Sequence, residues 1–245
     1  MSRLHRASAL IVLLLLTQGA AAEKLRLFAD AWPPFTDATL VNGGVATDIV
    51  STALARAGYA SDFEQVPWAR ALFGVGEGRY DVLVNTWYTD ERTKLGQFSG
   101  EYLLNRVRFL KRKDTPIEYN NLQQLHTYPI AVVRGYAYSQ EFDEDVSLQK
   151  VPVHNFAMAV RMVAADRVKL TLEDEFVARY YLARESPKVR NAVEFLPKPL
   201  SENSLHILVS LKNPEHEQIV AGFDREIAAM KADGSYEKLL RQHGM

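Results

Sequence analysis

The sequence predicts an α/β protein in which mostly parallel strands are flanked by helices. Two stretches of the chain, 25–85 and 128–182, each alternate between strand-like and helix-like segments. Parallel strands need a crossover connection, usually a helix, so this alternation is typical of a parallel sheet with helices on its faces. Because the pattern occurs twice, two units of the same kind are expected.

The first unit opens with a predicted strand over 25–29, where apolar and polar residues alternate. The run Trp-Pro-Pro-Phe at 32–35 ends this strand, because two prolines remove backbone donors from the ladder. Thr47 or Asp48 is expected to cap the next helix, and Gly58 to end it. The remaining predicted elements of the unit are the strand 63–66, the helix 68–75 and the strand 80–85.

The second unit follows a strand-like stretch over 107–113 and has the same alternation. The elements predicted in and after it are the strand 128–133, the helix 157–165, the strand 169–172, the helix 176–182, the strand 205–209 and a helix from about 214 to 231.

The first residues predict export. Arg3 and Arg6 precede an apolar run over 9–16, and small residues at 20–22 complete the pattern of a secretory signal peptide. Residues 1–22 are therefore expected to be cleaved, which would leave the mature protein in the periplasm. The apolar run is too short to cross a bilayer, and an uncleaved membrane anchor is the alternative.

Composition excludes several functions. The chain has 29 basic and 30 acidic residues, so it lacks the basic excess that nucleic-acid binding usually needs. It has no cysteine, which excludes disulfides and thiolate ligands. Its histidines are scattered, and glycines 74, 76 and 78 end a helix, which is the reverse of a dinucleotide-binding loop. We therefore predict no metal, no cofactor and no nucleic-acid partner.

A candidate ligand site follows the third predicted strand. The strand delivers Asn85 and Thr86 at its carboxyl end, and a polar turn then presents Arg92, whose planar fork suits two-point capture of a carboxylate. The segment 80–92, followed by 98–102, resembles the first-lobe ligand site of the family 3 periplasmic solute-binding proteins, the polar amino-acid receptors of bacterial uptake systems.

The resemblance extends over residues 23–245, since the tail over 230–240 is similar to the closing signature of the same family. It implies a two-lobed type II periplasmic-binding fold, with a mostly parallel sheet flanked by helices in each lobe and two hinge crossings. Residues 23–105 and 205–245 would form lobe one, and residues 106–204 would form lobe two.

The same resemblance assigns roles to individual residues. Arg92, following Thr89, matches the family's Thr-x-x-Arg carboxylate clamp. Trp32 and Trp68 match positions where aromatic rings enclose the ligand, whereas Arg70 could meet an anion or lie on the surface.

In the predicted second lobe, Asp174 matches the acid that receives the ligand's ammonium group, and Glu173 and Glu175 are expected to point elsewhere. Gly135 would offer backbone donors at a helix start. The family usually has a small hydroxyl residue next, but Tyr136 and Ala137 stand here, which suggests a different ligand or looser specificity.

We therefore predict a periplasmic protein that captures a small zwitterionic or carboxylate-bearing solute, an amino acid or a relative of one, by hinge closure. Delivery to a membrane ABC permease, a monomeric state and no enzymatic activity are expected. Two alternatives stay open. One is an enzyme on the same scaffold, acting as a dehydratase or cleaving cell-wall glycans, and the other is a soluble sensor for a membrane signalling protein.

Overall fold

A nine-stranded sheet runs through the whole of the described protein. The computed structural model describes residues 24–134, 136 and 138–245. The predicted signal peptide, 1–22, lies outside the described residues, and so does the candidate ligand residue Gly135.

The strands and helices alternate as predicted. The strands are β1 (Leu25–Ala29), β2 (Ser61–Gln65), β3 (Val82–Trp87), β4 (Gly96–Phe98), β5 (Leu103–Arg112), β6 (Ile130–Val133), β7 (Lys150–Val153), β8 (Leu170–Asp174) and β9 (Val193–Ser210). The helices are α1 (Val45–Arg56), α2 (Trp68–Gly76), α3 (Gln140–Glu144), α4 (Phe156–Ala164), α5 (Glu175–Arg184), α6 (Pro187–Ala192), α7 (His216–Ala232) and α8 (Ser235–Gln242).

Two parallel units are joined through an antiparallel pair of strands. The spatial order is β2-β1-β3-β9-β5-β8-β6-β7, and β4 pairs with β9. Strand β1 is parallel to β2 and β3, and β6 is parallel to β7 and β8, which agrees with the predicted mostly parallel sheets, although β7 itself was not predicted. Strands β5 and β9 are antiparallel to each other and to their other neighbours.

Each unit has its own apolar core. In the first, Phe35 and Leu54 pack with Phe223 of α7, and all three are fully buried. In the second, Phe109 packs with Phe142 beneath the β5–β8 sheet. We call the first unit, with α1, α2, α7, α8 and β1–β4, lobe one, and the unit with β6–β8 and α3–α6 lobe two. The residue boundaries predicted from the sequence stay a prediction.

Helix α1 begins earlier than the capping pattern predicts. It starts at Val45, and its N-cap is Gly44, which has a φ of 95° and no room for a side chain because a Cβ would lie 2.5 Å from the carbonyl oxygen of Phe35. The prediction that Thr47 or Asp48 caps the helix was therefore wrong. Asp48 instead contacts His243 at 2.9 Å, which ties α1 to the C-terminus.

Among the described residues, no helix combines the length and the apolar character needed to cross a bilayer.

Candidate functional site

A cavity of about 410 Å³ lies where β1, β3 and β8 end and the two lobes meet. In open α/β sheets, ligands bind outside the carboxyl ends of the strands. The cavity is lined by Asp30, Ala31, Trp32, Trp68, Asn85, Trp87, Arg92, Val107, Tyr136, Tyr138, Glu173 and Asp174.

Arg92 is a half-buried cation that has no carboxylate partner within salt-bridge distance among the described residues. Its Nη1 donates to the carbonyl oxygen of Trp87 at 2.7 Å, and its guanidinium lies 5.0 Å from the Trp68 ring centroid. Its backbone N–H donates to the Thr89 hydroxyl at 3.3 Å, which fixes the turn. Burial lowers the pKa of the guanidinium, and an anion would relieve this desolvation.

Three tryptophans form the aromatic part of the wall. Trp68 is the first residue of α2, directly after Pro67, and Trp32 follows the end of β1. The Trp32 ring lies edge-on to Trp87 at 6.0 Å. Sequence analysis missed Trp87, although it stands two residues after Asn85 on β3 and therefore faces the same side.

Asn85 and Thr86 lie near the carboxyl end of β3 but have different surroundings. Asn85 lines the cavity, and its Oδ1 has no hydrogen-bond partner among the described residues. Thr86 is fully buried and is absent from the cavity wall. Successive residues of a strand alternate between its faces, and here Asn85 faces the cavity while Thr86 does not.

Asp30 is an acidic member of the wall that sequence analysis missed. It is the first residue after β1, and its Oδ1 accepts a long hydrogen bond of 3.4 Å from the Asn85 amide. The Asn85 amide also donates to Thr36 at 3.2 Å. Burial raises the pKa of Asp30, and the bond from Asn85 offsets part of this effect. An acid directly after a strand was the signal available in the sequence.

Asp174 caps α5 and joins it to β5. Its Oδ1 accepts from the backbone N–H groups of Phe176 and Val177, at 2.9 and 3.0 Å. Its Oδ2 accepts from the Asn105 amide and the Arg106 N–H, both at 3.2 Å. Burial raises the pKa of Asp174 to about 6, although these donors favour the charged form.

Glu173 also lines the cavity, so the expectation that it points elsewhere was wrong. Glu175 does lie outside the wall, where it pairs with Arg108 and Arg179. Burial raises the pKa of Glu173 to about 8, and the neighbouring charge of Asp174 adds to the shift. Its carboxyl group is therefore largely protonated at neutral pH in this cavity.

Two tyrosines from the β6–α3 connection complete the lobe-two wall. Tyr138 is buried, and its hydroxyl accepts from the Val133 N–H at 2.8 Å. Tyr136 is half exposed and lies 6.2 Å from the Tyr138 ring. Sequence analysis treated Tyr136 only as a departure from the family pattern and missed Tyr138.

Comparison with known proteins identifies the family. The model of the bacterial extracellular solute-binding proteins, family 3, matches residues 26–245. The chain belongs to this family. The resemblance read from the residues is thereby confirmed.

Solved structures similar to this family 3 protein share its two-lobed fold. An ancestral cationic amino-acid solute-binding protein has 25% identity and a TM-score of 0.70, over 89% of this chain and 94% of that chain. An ancestral arginine-binding protein bound to arginine has 22% identity and a TM-score of 0.67, over 89% and 97% of the two chains. A histidine kinase sensor domain has 17% identity and a TM-score of 0.70, over 90% and 96%. The predicted type II periplasmic-binding fold is confirmed.

The family 3 fold thus brings most of the predicted ligand residues into one cavity. Arg92, Trp32, Trp68, Asn85 and Asp174 line it together. Their ligand roles are taken up below as a proposal. Among the described residues, no group of three or more histidine or acidic side chains has the arrangement of a metal site.

Proposed function

We propose that this protein captures an amino-acid-like solute in the periplasm and delivers it to a membrane ABC permease. The observation that carries the proposal is one cavity holding an arginine that has no carboxylate partner among the described residues, together with the buried carboxyl groups of Glu173 and Asp174 and the partly buried Asp30. A zwitterion presents the complement of that arrangement, a carboxylate and an ammonium group.

Arg92 is suited to the carboxylate of such a ligand. An arginine has five N–H donors, and the donation from Arg92 Nη1 to the Trp87 carbonyl uses one of them. The Trp68 ring, 5.0 Å from the guanidinium, restrains it on one side, and the donors that remain suit a bidentate contact. The guanidinium is thus oriented before any ligand arrives, which lowers the ordering cost of binding.

The remaining wall favours a ligand with surplus positive charge. In the described part of the wall, Asp30, Glu173 and Asp174 face a single basic side chain, that of Arg92. The tryptophan faces can also stack on a cation or a planar group. The volume, about 410 Å³, fits a small solute. Solved relatives described as cationic amino-acid and arginine-binding proteins support the same class of ligand.

A sensor is the second candidate function, favoured by the likeness to a histidine kinase sensor domain over 90% of this chain. Such a protein would bind the same class of solute and report it to a membrane partner. The predicted signal peptide and the match of the solute-binding family model to residues 26–245 support transport instead. Cells lacking the gene should lose uptake of the bound amino acid if the protein serves a permease, and should lose a ligand-dependent signal with uptake intact if it serves a sensor.

Thermal-shift measurement tests the ligand class. The purified mature protein is screened against the twenty L-amino acids, polyamines, organic acids and sugars. A solute that binds only the folded form raises the melting temperature. We expect the largest increase with L-arginine or another basic L-amino acid. An increase with sugars or organic acids alone would contradict the proposal.

Mass analysis tests the absence of turnover. No product should form when the protein is incubated with an amino acid that binds it, with a prephenate-like compound, or with cell-wall glycan. Product formation that disappears on substitution of a cavity acid would favour the enzyme alternative.

A further inference from the structure

Glu173 and Asp174, the two acidic residues that end β8, differ in how many hydrogen bonds their carboxyl groups accept. Asp174 accepts four hydrogen bonds, two from the first turn of α5 and two from β5. Glu173 accepts one, from the Asp174 N–H to its Oε1 at 3.0 Å. Its Oε2 is buried and has no partner among the described residues, and the residue is only 4% exposed.

This difference decides which acid is available to a ligand. A carboxylate has about four acceptor positions, and in Asp174 the protein itself occupies them. A ligand that displaced those donors would uncap α5 and leave the Asn105 amide without its acceptor. Glu173 has an oxygen free for a ligand in the cavity wall, and a buried polar atom without a partner destabilises the empty protein. A cationic donor would relieve that cost.

We infer that Glu173, and not Asp174, is the carboxylate that receives the ammonium group of the ligand. Asp174 is a positioning residue that holds α5 against β5. This inference rests on the proposed function, and it identifies the acid that makes the site specific for a ligand with an ammonium group. It reverses the roles that the family resemblance implies for the two residues.

Binding should then release a proton. Glu173 is largely protonated at pH 7 because burial raises its pKa to about 8, and a cation placed against it favours the ionised form. Asp174, with a pKa of about 6, is mostly ionised at that pH already and has little to release. The titratable and charged groups near Glu173 or sharing its cavity are Asp174 on β8, Arg108 opposite it on β5, Tyr136, Tyr138, Tyr181, Asp30 and Arg92.

Calorimetric titration at pH 7 tests the assignment. The probe is L-arginine, followed by the other nineteen L-amino acids if L-arginine does not bind. Glu173→Gln keeps the acceptor for the Asp174 N–H, and we expect it to weaken binding about tenfold or more. Asp174→Asn should weaken binding less and lower the melting temperature more. Glu175→Gln, outside the cavity wall, is the matched control and should leave affinity unchanged.

Proton release supplies a readout that a purely structural role would not move. Titrations in buffers of different ionisation enthalpy should show net proton release on binding in the wild type, and a smaller release in Asp174→Asn, because the Asp174 charge contributes to the raised pKa of Glu173. Glu173→Gln should release none. If that variant does not fold, Glu173→Asp replaces it in the calorimetric titration, and unchanged affinity in that variant overturns the assignment.

Different results would overturn the proposed function and the assignment of Glu173. A wild type that binds none of the twenty amino acids overturns the proposed function, and this inference with it. A wild type that binds while Glu173→Gln keeps full affinity overturns the assignment alone. The assignment is also overturned if Asp174→Asn loses as much affinity as Glu173→Gln while its melting temperature is unchanged.

Discussion

The two walls of the cavity are built in different ways. The lobe-one wall holds Arg92, the indoles of Trp32 and Trp68, and Asp30, while the lobe-two wall holds the buried carboxyl groups of Glu173 and Asp174. Arg92 is fixed by contacts that leave most of its donors free, whereas Asp174 has no free acceptor position. A charged group in a cleft is therefore available to a ligand only where the protein's own hydrogen bonds have not already used its donor or acceptor positions.

Removing the lobe-one cation should have the largest effect on binding. We expect Arg92→Ala to weaken binding of L-arginine, or of whichever amino acid raises the melting temperature most, by about 10- to 100-fold or more, since it removes charge-assisted hydrogen bonds. Arg92→Lys should recover little, because a point charge does not reproduce the bidentate fork. Calorimetry measures both.

The matched control for this prediction is Arg70→Ala. Arg70 is exposed on α2, outside the cavity wall. Affinity unchanged in Arg92→Ala, or lowered equally by Arg70→Ala, would remove Arg92 from the ligand site.

The lobe-two acids should produce the largest pH effect on stability. A carboxyl group whose pKa is raised on folding binds its proton more tightly in the native state. The free energy of unfolding therefore falls as the pH rises from the pKa of the unfolded state to that of the native state. For Asp174 the fall should lie between pH 3.8 and about 6. For Glu173 it should extend from pH 4.5 to about 8.

Denaturant unfolding at pH 6 and pH 8 isolates Glu173. We expect the wild type to lose more stability between these values than Glu173→Gln does. The comparison cancels the histidines, which titrate in both proteins. Equal losses in the two proteins would show that Glu173 is already ionised at pH 6.

Asn105 should have an intermediate effect, because it connects the two walls. Its Oδ1 accepts from Trp87 Nε1 at 2.9 Å, and its Nδ2 donates to Asp174 at 3.2 Å. Asn105→Ala should lower the free energy of unfolding by about 1–3 kcal/mol, since both partners lose a bond. Asn203→Ala, opposite Asn105 on β9, is the control and should cost less. Equal midpoints in denaturant for Asn105→Ala and the wild type would contradict the prediction.

Replacing the Trp68 indole should have the smallest effect on ligand affinity. Trp68→Leu removes the stacking on the Arg92 guanidinium, a contact that contributes about 0.5–2 kcal/mol elsewhere. We expect affinity for the same amino acid to fall about threefold to tenfold, and less in Trp68→Phe. Phe73→Leu, exposed on the same helix, should change nothing. A full loss of binding in Trp68→Leu would mean that Arg92 has no fixed position without the indole.

The alternation of elements and the motif around Arg92 were readable from the sequence, but long-range pairing was not. Strand β9 spans Val193–Ser210, whereas the sequence predicts a strand only over 205–209. Pro197 and Pro199 argue against a strand, and the polar residues at 201–204 have no apolar face. Pairing with β5 overrides these local signals.

The cavity was predicted in part for a similar reason. Arg92, Trp32 and Trp68 could be placed by motif, but the choice between Glu173 and Asp174 depends on which donors approach from β5 and α5. Those donors are 68 and 69 residues away along the chain or lie in the next helix. Spacing alone does not reveal how many acceptor positions a carboxylate has left.

The β5–β9 pair that joins the lobes has a mechanical consequence. The two connections between the lobes, β5 and β9, are neighbouring strands of one ladder. Translating one lobe past the other would break the backbone hydrogen bonds between these strands. Twisting or bending the two-stranded ribbon would keep them. The pairing register shifts near Arg108, and we expect torsion to concentrate there. A single axis of rotation would follow, and it would return Arg92 and Glu173 to the same relative position at every closure, whichever solute lies between them.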